Sequence, residues 1–280
     1  MNKANIKNFF FDLDGTLLNS QKVISQQNID SINKLNKESK NVFIATGRPY
    51  YFAKQEAFLT QTKFPIIACN GAIIYDFQKD EIVYQNPIVK EAAKEVFDSL
   101  QQNNTTFLVY TTKQIFGFTR ANYNPEWFEW LESSINQRES QFRFGFDWKD
   151  LNNFDINKHD VIKFLVIKSD SLEQDIENAR KSLLEIKNIY LLTSQTRVID
   201  IMPVGSSKGN GIKILSEKFN LNLDESISFG DEDNDVSMFE TTKYSVAMGQ
   251  SKDSIKQKAT FTTTSNNESG VSHFLEKHLK

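Results

Sequence analysis

Two aspartates, Asp12 and Asp14, stand two residues apart where the apolar run Phe9-Phe10-Phe11 gives way to Gly15-Thr16. Carboxylates at the end of a buried strand are costly unless a cation or a shared proton relieves them. Spaced by two in extended backbone, both point the same way. One carboxylate can attack phosphorus while a neighbour acts as general acid and base. The same residues can also do no more than end a strand in an Asp-Gly turn, with Asp14 capping it.

Three further loops carry complementary chemistry. Thr46-Gly47-Arg48-Pro49 follows the apolar run Val42-Phe43-Ile44-Ala45 and leads into a helix. A hydroxyl and backbone N–H groups at a helix start suit a phosphate, though a plain helix cap reads the same. In Ser206-Ser207-Lys208-Gly209-Asn210-Gly211 the glycine-lysine order of a P-loop is absent. What remains is a lysine at a helix start, where the dipole disfavours a cation; an anion opposite Lys208 would explain it, and a solvated lysine would not need one. Gly230-Asp231-Glu232-Asp233-Asn234-Asp235 packs four acids into six residues. Such a cluster suits Mg²⁺, which prefers carboxylates and water, and equally suits an acidic helix start. The spacing of an EF-hand is missing.

The elements that must position these loops follow from hydrophobic period. Ile6–Leu13, Val42–Ala45 and Ile66–Cys69 read as buried strands, separated by helices at Gln26–Lys37 and Tyr50–Leu59. After Asn70-Gly71 the strands come in pairs: a hairpin of Ala72–Tyr75 and Glu81–Tyr84, then Thr106–Thr111, Ile115–Thr119, Val161–Ile167, Tyr190–Thr193 and Arg197–Ile201. From Lys208 the βα rhythm returns. The expected fold is α/β, a Rossmann-like parallel sheet with helices on both faces, interrupted by an inserted α+β domain. Residues 1–84 and 199–280 would form the core and 85–198 the insertion. In such sheets ligands bind beyond the carboxyl ends of the strands, which is where all four loops fall.

Taken together and in order, Asp12-Leu13-Asp14-Gly15-Thr16-Leu17, Thr46-Gly47-Arg48-Pro49, Asn70-Gly71-Ala72, Lys208-Gly209, Gly230-Asp231 and Asn234-Asp235 resemble the haloacid dehalogenase superfamily. The chain looks most similar to its Cof-type phosphatases, which carry a large (type IIB) cap after the third core strand. Ala247-Met248-Gly249 and Glu268-Ser269-Gly270-Val271 fit as well, while Gln250-Ser251 stands where that family often has Asn-Ala.

The resemblance implies a Mg²⁺-dependent phosphatase with Asp12 as nucleophile and Asp14 as acid and base. It implies metal ligation by the side chains of Asp12 and Asp231 and the carbonyl of Asp14, with Glu232 as a further candidate. Leu13, Thr46, Gly47, Lys208 and Asn234 would contact the phosphoryl group. Thr16 and Asp235 would stand behind them, Asp235 orienting Lys208. Arg48 and Asn70 are candidates for substrate contact. The partner implied is a small phosphorylated metabolite, a sugar phosphate or a phosphorylated cofactor. Phosphotransfer or mutase action through the same Asp12 intermediate stays open, as does a binding module that keeps the fold.

Bulk properties fit this reading. The chain has 280 residues, net charge -3 and interspersed acids and bases, which argues against nucleic acid or an anionic membrane as partner. The aromatic run at 9–11 is far too short for an export signal, and no stretch approaches the ~20 apolar residues of a membrane span. A single cysteine, Cys69, in an apolar run reads as a buried structural thiol and fits a reducing cytoplasm. His159, His273 and His278 fall in none of the four loops. Trp127, Phe128, Trp130 and Leu131 form an aromatic stripe that reads mainly as core of the inserted domain. Nothing in the sequence sets the oligomeric state.

Overall fold

A computed structural model of the chain describes residues 6–120, 122–149, 151, 154–192 and 197–278. The chain divides into two compact units, residues 1–84 with 207–280, and residues 85–206.

In the first unit five strands lie side by side in the order Phe261–Thr262, Tyr244–Ala247, Ser226–Gly230, Asn8–Phe11, Asn41–Ile44, and every pair is parallel. The strand Asn8–Phe11, paired on both sides, is buried along its whole length, so its phenylalanines read as a continuous apolar run rather than an alternating one. Its side chains still alternate between faces. Phe10 stacks on Phe43 with ring centroids 4.6 Å apart and shares a cluster with Ile212 and Leu215 of the helix Lys208–Phe219. Phe11 turns the other way onto Phe229, which meets Phe274 of the helix Gly270–His278 edge to face. Helices therefore cover both faces. Each buried ring contributes about 1.5–3 kcal/mol relative to leaving it in water.

Register does the positioning. Phe11 pairs with Ile44 on one side and Phe229 on the other, so the three strands end level. The residues that follow, Asp12, Ala45-Thr46 and Gly230-Asp231, emerge at one edge. The strand Ile66–Ala68 joins beside Ala45 through a parallel bridge between Ala45 and Ile67, bringing Cys69-Asn70-Gly71 to the same edge. It then turns back antiparallel into Ile73–Asp76, followed by Glu81–Gln85.

The second unit holds a six-stranded sheet in the order Ile189–Leu192, Val198–Pro203, Val161–Ile167, Phe107–Thr111, Ile115–Phe118, Phe146–Asp147. All pairs are antiparallel except the last. Helices Lys90–Gln102 and Glu173–Leu183 lay Ala92, Val96, Leu100, Ala179 and Leu183 against Phe107, Val109, Phe164 and Val166. Val198–Pro203 is paired on both sides within this sheet, so residues 199–206 stay with the second unit. The return to the first unit comes at 207 rather than at 199. Thr193, the anticipated end of one strand, lies outside the described residues.

The aromatic stripe splits as its helical spacing requires. Phe128 and Leu131 are buried, Trp130 is exposed, and the Trp127 ring faces the guanidinium of Arg197 at 5.9 Å. Cys69 is buried. Among the described residues no helix is long and apolar enough to cross a membrane.

Candidate active site

Asp12 leaves the strand Asn8–Phe11 into a buried position, and its Oδ1 accepts a hydrogen bond from Lys208 Nζ at 2.6 Å. Lys208 opens its helix just after Ser207, whose hydroxyl caps the Asn210 N–H. The same ammonium donates at 2.6 Å to Asp235 Oδ1, and its side chain has no exposed surface. The anion that the helix-start lysine calls for is thus a pair of carboxylates. Burial alone would push the Lys208 pKa down; Asp12 and Asp235 instead hold it above the ordinary lysine value. Burial pushes Asp12 up to about 7, with Lys208 opposing and Asp235 reinforcing the rise.

Asp14 is held apart from this pair. Arg48 donates from Nε to Asp14 Oδ2 at 2.6 Å and from Nη2 to Oδ1 at 2.8 Å, while Lys22 Nζ reaches Oδ1 at 2.7 Å. Burial would raise Asp14, but the charges and hydrogen bonds of Arg48 and Lys22 together outweigh it and keep the carboxyl well below its usual range. Arg48 is itself oriented by Glu56 Oε1 at 3.1 Å and by the Phe52 ring, 4.6 Å from its guanidinium carbon. Asp12 and Asp14 therefore do not relieve each other: each answers to its own cations.

Asp231 sits against the first loop so closely that only glycine fits opposite. A Cβ on Gly15, whose φ is +78°, would lie 2.1 Å from Asp231 Oδ2. Asp231 Oδ1 is buried and meets no hydrogen-bond partner among the described residues. Burial, with Asp235 and Asp12 nearby, pushes Asp231 up to about 9. The carboxylates of Asp12, Asp231 and Asp235 all offer an oxygen within 4.8 Å of one another. Asp235 is already committed: Oδ1 to Lys208, and Oδ2 to the N–H groups of Asp231 and Glu232. That leaves Asp12 and Asp231 as the oxygens available to a cation. A dicarboxylate site with an orphaned buried oxygen fits a hard divalent ion such as Mg²⁺. Glu232 is not among these carboxylates; its side chain caps the turn Asp233–Asp235, and its Oε2 lies 3.7 Å from Lys252 Nζ.

The remaining loops line the same edge. Thr46 is buried, its hydroxyl accepting from the Arg48 N–H at 3.1 Å. Asn70, left-handed at φ 52°, accepts from Asn234 Nδ2 at 3.0 Å, and its own Nδ2 is buried without a hydrogen-bond partner among the described residues. A Cβ on Gly47 would come to 3.2 Å from Asn70 Oδ1, so these two loops are packed together. Leu13 and Thr16 are buried in the first loop, Thr16 Oγ1 also lacking a partner among the described residues. Buried donors and hydroxyls gathered beside a lysine can hold an oxyanion.

A family model described as haloacid dehalogenase-like hydrolase matches residues 9–275. The chain belongs to this family. This haloacid dehalogenase-like hydrolase is 32% identical over 281 residues to a putative phosphatase of Mycoplasma pneumoniae, covering 99% of each chain. It is 29% identical over 285 residues to the Bacillus subtilis protein named 5-amino-6-(5-phospho-D-ribitylamino)uracil phosphatase YwtE, covering 96% of each. Its structure resembles that of a haloacid dehalogenase-like hydrolase from B. subtilis with TM-score 0.81 at 26% identity, over 98% of this chain and all of the other. It is an enzyme of the family's Cof-type phosphatase branch.

Three participants escaped the sequence reading of this hydrolase. Lys22 and Glu56 join the site only through the Arg48–Asp14 pair, and a lone surface-type lysine or helical glutamate carries no signal of that. Gln250, noted only as standing where the family often has Asn, donates to the Gly15 carbonyl at 2.6 Å. Of the histidines, His159 stacks on Phe154 within the second unit and His278 stacks on Phe274 within the first.

Proposed function

We propose that this hydrolase releases phosphate from small monoesters, sugar phosphates or phosphorylated cofactors, with Mg²⁺ and through an aspartyl-phosphate on Asp12. The observation that carries the reading is the setting of Asp12. It lies at the end of the strand Asn8–Phe11, bonded to a buried lysine and grouped with Asp231, whose inner oxygen meets no partner among the described residues.

Asp12 attacks the phosphorus with a carboxylate oxygen, forming a P–O bond as the ester P–O bond breaks. Asp14 gives a proton to the departing alkoxide. Water then attacks the phosphorus, Asp14 takes its proton, and the bond to Asp12 breaks, releasing inorganic phosphate. Lys208 favours the ionised form of Asp12 and offsets charge on the phosphoryl oxygens, with Thr46, Gly47, Asn234 and the Leu13 N–H as further donors. Thr16 supports the first loop from behind, and Asp235 aims Lys208. Bound by Asp12, Asp231 and the Asp14 carbonyl, Mg²⁺ supplies positive charge that lowers the repulsion between Asp12 and a phosphate. Asn70 Nδ2 is open to substrate oxygens, whereas Arg48 would meet them only by giving up part of its hold on Asp14 or Glu56. Substrate choice is assigned to the unit of residues 85–206.

A phosphate-release screen over sugar and polyol phosphates tests the reading, with the substrate that names YwtE among them. Activity requiring Mg²⁺ and lost in Asp12→Asn supports it. Release that survives both metal removal and that substitution overturns it.

A further inference from the structure

We propose that Gln250 is a positioning residue for the metal ligands, tying Asp231 to the turn that presents the Asp14 carbonyl. The inference rests on the metal reading above and extends it to a residue outside the four loops.

Gln250 follows the strand Tyr244–Ala247 and is exposed, yet all the polar atoms of its side chain are engaged. Its Oε1 accepts from the Asn266 N–H at 3.1 Å, which fixes which way round the amide sits. The Nε2 group is thereby turned toward two oxygens, Gly15 O at 2.6 Å and Asp231 Oδ2 at 3.4 Å. A flipped amide would set its oxygen against both of these and its NH₂ against an N–H. The anchor is itself held. Met248 N–H donates to Gly230 O at 3.1 Å, Gly249 N–H to Thr264 O at 3.0 Å, and Asn266 Nδ2 to Leu18 O at 2.8 Å. Three stretches far apart in sequence, around residues 15, 231 and 250, are thus joined by one side chain.

The consequence falls on the two ligands. Gly15 takes a positive φ, so the turn depends on outside contacts to keep its peptide planes in place. Fixing the Gly15 carbonyl holds the peptide beyond Asp14. Engaging Asp231 Oδ2 leaves Oδ1 as its inward oxygen. Groups that orient metal ligands in this way commonly change affinity by 10–100-fold when removed. A single exposed amide belongs at the low end of that range.

The test is Mn²⁺ binding by calorimetry, without substrate, to wild type, Gln250→Ala and Gln250→Asn, with thermal unfolding recorded for each. The side chain of Asn is one methylene too short to span from the Asn266 N–H to Gly15. Both variants are expected to bind Mn²⁺ about 10-fold more weakly while remaining folded at the working temperature, and their activity is expected to recover as Mg²⁺ is raised. Variants that bind Mn²⁺ within twofold of wild type overturn the inference and leave the metal reading standing, whether or not their melting temperature falls. Wild type that binds no Mn²⁺ overturns the metal reading and this inference with it.

Discussion

Arg48 grips both oxygens of Asp14, through Nε at 2.6 Å and Nη2 at 2.8 Å, while its third nitrogen reaches Glu56 at 3.1 Å. A planar fork on a carboxylate fixes direction as well as charge, which a lysine could not do. In this arrangement Asp14 is ionised and aimed, ready to accept a proton. To give one, as the first chemical step requires, it must be loosened from Arg48 and Lys22.

Arg48→Ala removes the cation that Asp14 and the buried Glu56 share. Breaking a buried ion pair from one side costs about 3–5 kcal/mol, and Lys22 retains part of the Asp14 interaction, so about 3 kcal/mol is expected. The urea midpoint measures this, and an unchanged midpoint counts against the network. Arg48→Lys should restore most of the stability but not the aim, leaving kcat reduced by about 10-fold.

Lys208→Met leaves Asp12 and Asp235 facing each other in a buried site without their cation. A stability loss of about 3–5 kcal/mol follows from the same physics, and kcat should fall by about 1000-fold as charge stabilisation is lost. Asp235→Asn, which keeps the shape and one acceptor for Lys208, should cost less on both counts. Equal losses in the two variants would contradict the assignment of Lys208 to the phosphoryl group.

Burial raises Asp12 to about 7 and Asp231 to about 9, both above the ordinary aspartate value of about 4. The folded protein stripped of metal therefore binds these protons more tightly than the unfolded chain. Its stability should fall as pH rises from about 4 through about 9. A divalent ion competes with the same protons, so its stabilising effect should grow over that range. Melting temperatures in EDTA and in Mg²⁺ at about pH 6 and about pH 9 check the sign. A Mg²⁺ effect that is no greater at the higher pH refutes the linkage.

Gly15→Ala would place a Cβ 2.1 Å from Asp231 Oδ2 at a backbone φ of +78°. The strained conformation alone costs about 1–3 kcal/mol, and Asp231 must also move. Thermal unfolding should register the first and weakened Mn²⁺ binding the second. Retention of wild-type metal affinity would show that Asp231 does not depend on this close approach.

Much of the site was legible because local chemistry repeats what the fold demands. The helices Gln26–Lys37 and Lys208–Phe219 begin where Ser25 and Ser207 cap them, and the expected bounds of the first and of Tyr50–Leu59 match. Asp12, Thr46 and Asp231 announce themselves by following buried strands. Hidden features are those fixed by tertiary contact. The two-residue strands Phe146–Asp147 and Phe261–Thr262 are too short for any period to show. Val198–Pro203 reads like a core strand, and only its two partners assign it to the second unit. The pairing of Arg48 with Asp14, and of Gln250 with Gly15, spans 34 and 235 residues, beyond the reach of local patterning. Asp12 and Asp14 were read as neighbours needing one relief; folding supplies each with separate cations.

The central claim is that Asp12 carries the phosphoryl group, and the most direct measurement is rapid acid quench of the enzyme turning over a good substrate, followed by peptide mass spectrometry. A phosphoryl group on the peptide containing Asp12, present in the steady state and absent in Asp12→Asn, is the expected result. No phosphorylated peptide at any quench time, together with phosphate release by Asp12→Asn at the wild-type rate, would contradict it.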